Sequence, residues 1–344
     1  MNLTATLLIS LSLILGPTLT LSSHHWILAW LGLEISTFAL IPLILNTPNP
    51  RATEAATKYF LAQSVASTMM LFSCALNAWL TGGWAIPSTP PNTTTNFLTV
   101  ALLIKLGIAP FHFWVPDVMQ GLSLPMNLIL STWQKLPPVA LLLQLTDTLN
   151  LTLLLMAGLT STVVGGWGGI NQTQLRKIMA YSSISHMGWM VIVLKLSPKL
   201  ALLSFTIYVM ITSTLFLIFI NLKTKTLREL INAWPKSPPL AAMSLLILLS
   251  LGGLPPLTGF LPKWLIAQEL IKHHLFMFTA LALTTSLLTL FFYLRLTYIL
   301  TLTLAPQTTF SISNWFISLK TYLALPITLS TLLLPLFPFI TALL

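Results

Sequence analysis

Four ionisable side chains lie inside, or directly beside, long apolar stretches of the sequence. They are Glu34, Lys105, Lys135 and Lys263. A charged group at the centre of a bilayer costs about 2.5–3.5 kcal/mol even on the lenient insertion scale. Four such residues are therefore expected to face a protein interior or a hydrated path, and to interact with one another.

Proton transfer is the chemistry that suits this set. Burial favours the neutral amine of a lysine, and a nearby carboxylate favours the ammonium. Moving an acidic partner or a water molecule can thus load or empty a buried lysine, and Glu34 is the evident local acid. Arginine would not serve, because it hardly deprotonates. The alternative interpretation is that these charges snorkel to the surface or form structural ion pairs.

Two histidines are weaker candidates for the same relay. His112 follows an interrupted apolar stretch, and His186 lies inside another one. Imidazole exchanges protons near neutral pH, so either residue can pass a proton. A hydrogen-bonded packing histidine is the more usual case, and this alternative stays open for both.

The elements that must position these residues are membrane-spanning helices. Of 344 residues, 56% are hydrophobic and 6% are charged, whereas soluble domains carry about 25% charged residues. Apolar stretches of roughly 20 residues, enough to cross about 30 Å of hydrocarbon, recur throughout. The pattern predicts an all-α polytopic bundle of about eleven spans in a single transmembrane domain, residues 1–344. The spans are expected near 3–21, 25–45, 56–80, 96–121, 124–146, 149–170, 175–195, 199–221, 240–272, 275–303 and 320–343.

The distribution of lysine and arginine predicts the orientation. With the N-terminus on the positive side, most basic loop residues share that side: Arg51, Lys58, Arg176, Lys177, Lys223, Lys225, Arg228, Lys236 and Lys320. The opposite loops hold Lys195, Lys199 and Lys272. The asymmetry favours an inside N-terminus and, with an odd number of spans, an outside C-terminus. The net charge of +10 is explained by these loops, so we expect no nucleic-acid partner.

Several of the predicted spans contain helix-breaking residues. Leu-Gly-x-x-Pro occurs at Leu106–Pro110 and again at Leu251–Pro255. Paired interruptions in two halves of a chain point to a transport site. Pro137 and Pro138, just after Lys135, predict a further interruption that frees the carbonyls of Trp133 and Gln134.

Motifs for redox or nucleotide chemistry are missing from the sequence. It has no phosphate-binding glycine loop and no dinucleotide fingerprint, and candidate haem or iron–sulfur ligands are sparse. The one cysteine, Cys74, cannot form an intrachain disulfide. We therefore expect neither a cofactor nor a metal in this chain, and the energy for moving protons must come from a partner or an ion gradient.

Several segments together resemble a known family. They are Asn49–Ala55, Lys58–Leu61, Ala109–Pro116, Thr132–Leu136, Gly165–Ser183, Gly252–Pro256 and Pro262–Trp264. Across nearly its whole length the sequence resembles the subunit 2 family of vertebrate mitochondrial respiratory complex I, the NADH:ubiquinone oxidoreductase. Members of this family are antiporter-like subunits with two inverted repeats, each with a broken helix. Longer relatives have three further N-terminal helices, with which this sequence does not begin.

The resemblance implies a location, a role and partners. The location is the mitochondrial inner membrane, with the N-terminus in the matrix and the C-terminus in the intermembrane space. The role is proton translocation coupled to electron transfer from NADH to ubiquinone, with Glu34, Lys105, Lys135 and Lys263 as the relay. NADH, flavin (FMN), iron–sulfur clusters and ubiquinone belong to other subunits. The partners are other membrane-arm subunits, including neighbouring antiporter-like ones, and membrane lipids.

Two other functions stay open at this point. A free-standing cation/proton antiporter should work in isolation and is expected to have clustered carboxylates, but Glu34 is the one acid placed clearly inside a span. A purely structural membrane subunit should tolerate neutralisation of Glu34 or Lys105.

Overall fold

The apolar stretches of the sequence fold into helices, and no strand occurs among the described residues. The computed structural model describes residues 3–46, 49–86, 93–234, 237–302 and 323–332. Contacts between Cα atoms divide the chain into two units, Met1–Ser161 and Thr162–Leu344.

The first unit holds seven helices, one 3-10 turn and the start of an eighth helix within its described residues. These are α1 (Leu3–Ser22), α2 (Trp26–Leu45), α3 (Pro50–Thr81), α4 (Thr93–Leu106), α5 (Trp114–Gly121), α6 (Leu124–Ser131), the turn Trp133–Lys135, α7 (Leu136–Gln144) and α8 (Leu151–Gly169). Helix α2 packs against α1 and α3, α3 packs against α4 and α5, and α7 packs against α1 and α4.

Helices α1 and α2 approach each other at two glycines. A Cβ atom on Gly32 would lie 2.7 Å from the carbonyl oxygen of Gly16, and one on Gly16 would lie 2.7 Å from that of Gly32. Small residues let helix backbones come close in membranes, where dispersion replaces the hydrophobic effect as the driving force. This contact fixes the helix that carries Glu34.

The second unit continues with helices of the same kind. They are α9 (Leu175–Val193), α10 (Pro198–Leu222), α11 (Leu227–Ile231), α12 (Pro238–Gly252), α13 (Phe260–Lys272), α14 (Phe276–Leu302) and α15 (Ala324–Leu332). Helix α12 packs against α10 and α14, and α13 packs against α9, α10 and α14.

Six of the described helices are long and apolar enough to cross a membrane, namely Thr4–Ser22, Trp26–Leu45, Pro50–Thr81, Leu151–Gly169, Pro198–Leu222 and Phe276–Thr301. The predicted spans near 96–121, 124–146 and 240–272 are each split into two helices. Most of the predicted span 320–343 lies outside the described residues, as do Lys236 and Lys320, and α15 covers the part that is described. The multi-span helical prediction is confirmed.

Two of the interruptions share one backbone geometry. Helix α4 ends at Leu106, Gly107 takes the left-handed conformation with φ of 72°, and the next amide, of Ile108, donates to the carbonyl oxygen of Leu103 at 3.1 Å. Helix α12 ends at Gly252, Gly253 has φ of 83°, and the amide of Leu254 donates to the oxygen of Leu249 at 3.5 Å. Left-handed glycines with this bonding terminate helices.

The shared geometry corrects the register of the sequence repeat. Gly107 corresponds to Gly253, which aligns Pro110 with Pro256 and the first residue of α5, Trp114, with that of α13, Phe260. The Leu-Gly-x-x-Pro alignment was wrong by one residue, because two successive glycines follow Leu251 and the second one turns the chain. In the corrected register, Lys263 corresponds to Asp117.

The third interruption lies at Lys135. Residues Trp133–Lys135 form a 3-10 turn, and Pro137 and Pro138 fall in the first turn of α7, where a proline costs no hydrogen bond. The predicted break is confirmed, but the carbonyl of Trp133 is not free, since it accepts a bond from the amide of Leu136. In the tighter 3-10 turn the carbonyl of Trp133 bonds to the residue three positions on, whereas in an α-helix its partner would be Pro137, which has no N–H.

Candidate functional site

A buried ion pair joins two of the predicted site residues in the first unit. The Nζ atom of Lys105, in the last turn of α4, lies 3.7 Å from Oε1 of Glu34, on α2. The side chain of Lys105 is 2% exposed and that of Glu34 is 15% exposed. A lysine in the last turn also lies at the negative end of its helix. The sequence-based expectation that these charges face inward and interact is confirmed for this pair.

The ion pair lacks a direct hydrogen bond. At 3.7 Å the two atoms exceed hydrogen-bonding distance, and neither Nζ of Lys105 nor Oε1 of Glu34 has a hydrogen-bond partner among the described residues. The two charges therefore attract each other, while Nζ can still donate a hydrogen bond and Oε1 can still accept one. An arrangement of this kind can exchange a proton with a small polar molecule such as water.

Lys135 lies in the same unit and is buried, at 6% exposure. It ends the 3-10 turn, so its position is set by the break between α6 and α7 rather than by a continuous helix. Helix α7, which begins at the next residue, packs against the helix that carries Lys105.

Lys263 occupies a different environment in the second unit. It is buried, at 8% exposure, and its Nζ atom donates to the carbonyl oxygen of Gly252 at 2.9 Å. This carbonyl ends α12, where the helix dipole favours a cation. A Cβ atom on Gly253 would lie 3.0 Å from Nζ and 3.1 Å from Cδ of Lys263. The glycine therefore both turns the chain and leaves room for the lysine to lie across the break.

The two histidines are placed one in each unit. His112 is buried between α4 and α5, with Nδ1 3.3 Å from the carbonyl oxygen of Pro110. His186, on α9, is half-buried, and its ring centroid lies 5.7 Å from that of Tyr208.

Sequence reasoning missed a hydrogen-bonded cluster beside Lys135. The Nε2 atom of Gln134 donates to Oγ of Ser36 on α2 at 3.1 Å and to Oη of Tyr59 on α3 at 3.3 Å. Ser36 and Tyr59 are fully buried. The one sequence signal was an amide within an apolar stretch, next to a lysine.

Asp117, the register counterpart of Lys263, belongs to a surface network. Its Oδ2 atom lies 2.7 Å from Nζ of Lys58, which also lies 2.7 Å from Oε1 of Glu54. The three side chains are 39–62% exposed. The two units therefore use the same helix position differently, with a buried cation in the second and an exposed anion in the first. Over the described part of the chain, no group of three or more His, Cys, Asp or Glu residues can hold a metal ion.

The chain matches known families and relatives over nearly its whole length. Residues 23–289 match the family described as NADH:quinone oxidoreductase/Mrp antiporter, TM, and residues 290–341 match NADH dehydrogenase subunit 2 C-terminus. The chain is 52% identical over 340 residues to NADH-ubiquinone oxidoreductase chain 2 from Aquarana catesbeiana, covering 98% of each chain. It is also 52% identical over 343 residues to the protein of that name from Salmo salar, again covering 98% of each.

Two solved structures share the fold. A chain of respiratory complex I from Thermus thermophilus superposes with a TM-score of 0.82 at 28% identity, over 97% of this chain and 79% of that one. A chain of the Mrp complex from Dietzia sp. superposes with a TM-score of 0.77 at 18% identity, over 86% of this chain and 60% of that one. With broken helices and buried lysines in both units, and relatives matched over almost their full length, this chain belongs to the NADH-ubiquinone oxidoreductase chain 2 family.

Proposed function

We propose that this chain is a membrane-arm subunit of respiratory complex I that couples electron transfer from NADH to ubiquinone to proton translocation. The observation that carries the proposal is the buried pair of Glu34 and Lys105, whose side chains are 15% and 2% exposed. A subunit that only fills space gains little from such a pair, since desolvation offsets most of its attraction.

The relay operates by changing which buried group holds a proton. A carboxylate near Lys105 stabilises its ammonium, and displacement or protonation of Glu34 releases that proton. Lys135 and Lys263, which are both buried, carry the proton onward, and His112 and His186 are lesser candidates for the relay. Moving one charge through the membrane field requires about 2.3 kcal/mol per 100 mV, which is comparable to the energy of one altered buried interaction.

The energy for this work comes from other subunits. NADH, FMN, the iron–sulfur clusters and ubiquinone are bound elsewhere in the complex, and this chain acts as one transmembrane domain, residues 1–344, against neighbouring antiporter-like subunits and lipid. The setting is the mitochondrial inner membrane. The basic loops orient the N-terminus to the matrix and the C-terminus to the intermembrane space.

A free-standing antiporter is the second candidate, favoured by the fold shared with the Mrp complex. That likeness concerns fold alone. Among the described residues no group of three or more His, Cys, Asp or Glu side chains could hold a metal ion, and a buried carboxylate paired with a lysine suits proton exchange better than cation binding.

The test is Lys105→Met in the assembled complex, in inner-membrane vesicles. Methionine keeps the unbranched shape and removes the proton-binding amine. We expect NADH:ubiquinone turnover and proton translocation to fall together, with the amount of assembled complex unchanged. The control is Lys199→Met, which removes an exposed lysine. Unchanged turnover and translocation in the assembled Lys105→Met complex would favour a purely structural subunit.

A further inference from the structure

The amide of Gln134 connects three elements of the first unit at the point where a helix is broken. Gln134 lies in the 3-10 turn between α6 and α7, directly before Lys135. Its two N–H groups bond to Ser36 on α2 and Tyr59 on α3. Helix α2 is also the helix of Glu34, so one side chain ties the turn carrying a buried lysine to the helix carrying the buried acid.

These hydrogen bonds replace constraints that the backbone does not supply. A continuous helix would hold Lys135 in place through its own hydrogen bonds, but here the chain passes from α6 into a short 3-10 turn and then into α7. Short 3-10 segments within helices often act as hinges. The neighbouring Trp133 adds a second tie, since its Nε1 atom donates to the carbonyl oxygen of Leu13 on α1 at 2.9 Å. The turn is thus fastened on both sides by side chains.

The side-chain amide of Gln134 forms hydrogen bonds through its nitrogen but not through its oxygen. Both N–H groups are used, whereas the buried Oε1 atom has no hydrogen-bond partner among the described residues. Ser36 donates its own hydroxyl proton to the carbonyl of Leu33 at 2.8 Å, so it is an acceptor towards Gln134. A buried amide oxygen without a donor is unfavourable, so this oxygen is a place where a water molecule or an ammonium group gains a bond.

We infer that Gln134 is a positioning residue of the relay: anchored by Tyr59 and Ser36, it holds Lys135 in register with the helix of Glu34. This inference rests on the proposed function, because positioning matters only if Lys135 carries protons. Gln134 itself does not take up the transferred proton, as an amide is neutral across the physiological pH range. Its role is to hold the turn that carries Lys135 against α2 and α3.

The test compares Gln134→Met with Gln172→Met in the assembled complex. Methionine matches the length of glutamine and removes the amide. Gln172 is also half-buried and its Nε2 atom makes one bond, to the carbonyl oxygen of Gly168 at 3.3 Å, far along the chain from Lys135. We expect Gln134→Met to lower kcat for NADH:ubiquinone turnover about tenfold, with the apparent KM for ubiquinone unchanged, and Gln172→Met to stay within about twofold.

A double-mutant cycle separates positioning from a merely structural role. Tyr59→Phe removes one anchor and is expected to lower kcat about threefold. If the hydrogen bond between Gln134 and Tyr59 is the functional link, the double variant is no slower than Gln134→Met alone. The contact that Tyr59→Phe removes is already lost in Gln134→Met. Fully multiplicative effects, or a loss confined to the amount of assembled complex, would overturn the inference.

One more variant distinguishes the two proposals. Should Lys135→Met abolish turnover while Gln134→Met leaves kcat unchanged, the positioning role is wrong and the relay stands. Should both assembled variants turn over normally, the relay through Lys135 is wrong as well.

Discussion

The buried pair of Glu34 and Lys105 is predicted to matter more for turnover than an exposed pair whose atoms lie closer together. A ranking by contact distance alone would give the opposite order. Two glutamates of the first unit pair with lysines: Glu34 lies 3.7 Å from Lys105, and Glu54 lies 2.7 Å from Lys58. The shorter pair is 39–62% exposed, whereas the longer one is 2–15% exposed. We predict that Glu34→Gln is damaging and that Glu54→Gln is nearly silent.

The magnitudes follow from burial. At an effective dielectric constant of about 20, two unit charges 3.7 Å apart attract by about 4.5 kcal/mol. Removing one partner of a buried pair costs about 3–5 kcal/mol, because the other charge stays buried without compensation. Exposed pairs contribute only about 0–1 kcal/mol. Since each 1.36 kcal/mol is a factor of about ten, at least about a hundredfold loss of turnover is expected for Glu34→Gln and at most about fivefold for Glu54→Gln.

The assay is NADH:ubiquinone turnover and proton uptake in vesicles, normalised to the amount of assembled complex on native gels. Glu34→Asp serves as a third variant, since it keeps the charge and is expected to retain part of the activity. Equal effects of Glu34→Gln and Glu54→Gln, or a larger effect of Glu54→Gln, would show that burial does not control the contribution of these pairs.

Two glycines give further predictions. Gly253→Ala should lower turnover more than tenfold, because its Cβ would lie 3.0 Å from Nζ of Lys263 and displace the lysine from the carbonyl oxygen of Gly252. Gly82→Ala is the control, since Gly82 also has a positive φ, of 72°, but nothing lies within 4 Å of the added carbon. It should lower stability only by the left-handed strain of about 1–2 kcal/mol. Gly32→Val should reduce the amount of assembled complex on native gels, because its Cβ would lie 2.7 Å from the backbone oxygen of Gly16, which cannot yield as a side chain can. Normal turnover in the first variant, or normal assembly in the last, would contradict the packing described.

Composition and hydropathy were sufficient to predict the class of fold. Apolar stretches long enough to span a membrane favour helices, because backbone N–H and C=O groups in hydrocarbon must form hydrogen bonds within their own segment. The helix interruptions were also predictable, since glycine and proline act locally on the backbone. The pairing of Glu34 with Lys105 could be predicted from the energetic cost of placing a charge in hydrocarbon, because two opposite charges in apolar stretches are stabilised by pairing.

Residue-level register was harder to predict. Gly252 and Gly253 are chemically identical, and the φ of 83° at Gly253, together with the bond from the amide of Leu254 to Leu249, shows which one turns the chain. The hydrogen bonds of Gln134 were also not predictable, because Ser36 and Tyr59 lie on helices remote in sequence. Such contacts depend on how helices pack, and the packing of small residues such as Gly16 against Gly32 carries little signal in a single sequence.

The most direct test of the relay is a map of ordered water in the assembled complex, at a resolution that shows single molecules. The account predicts ordered water within hydrogen-bonding distance of Glu34, Lys105, Lys135 and Lys263, all inside the protein. Side chains that instead contact lipid headgroups, or that are enclosed in dry apolar packing, would contradict it.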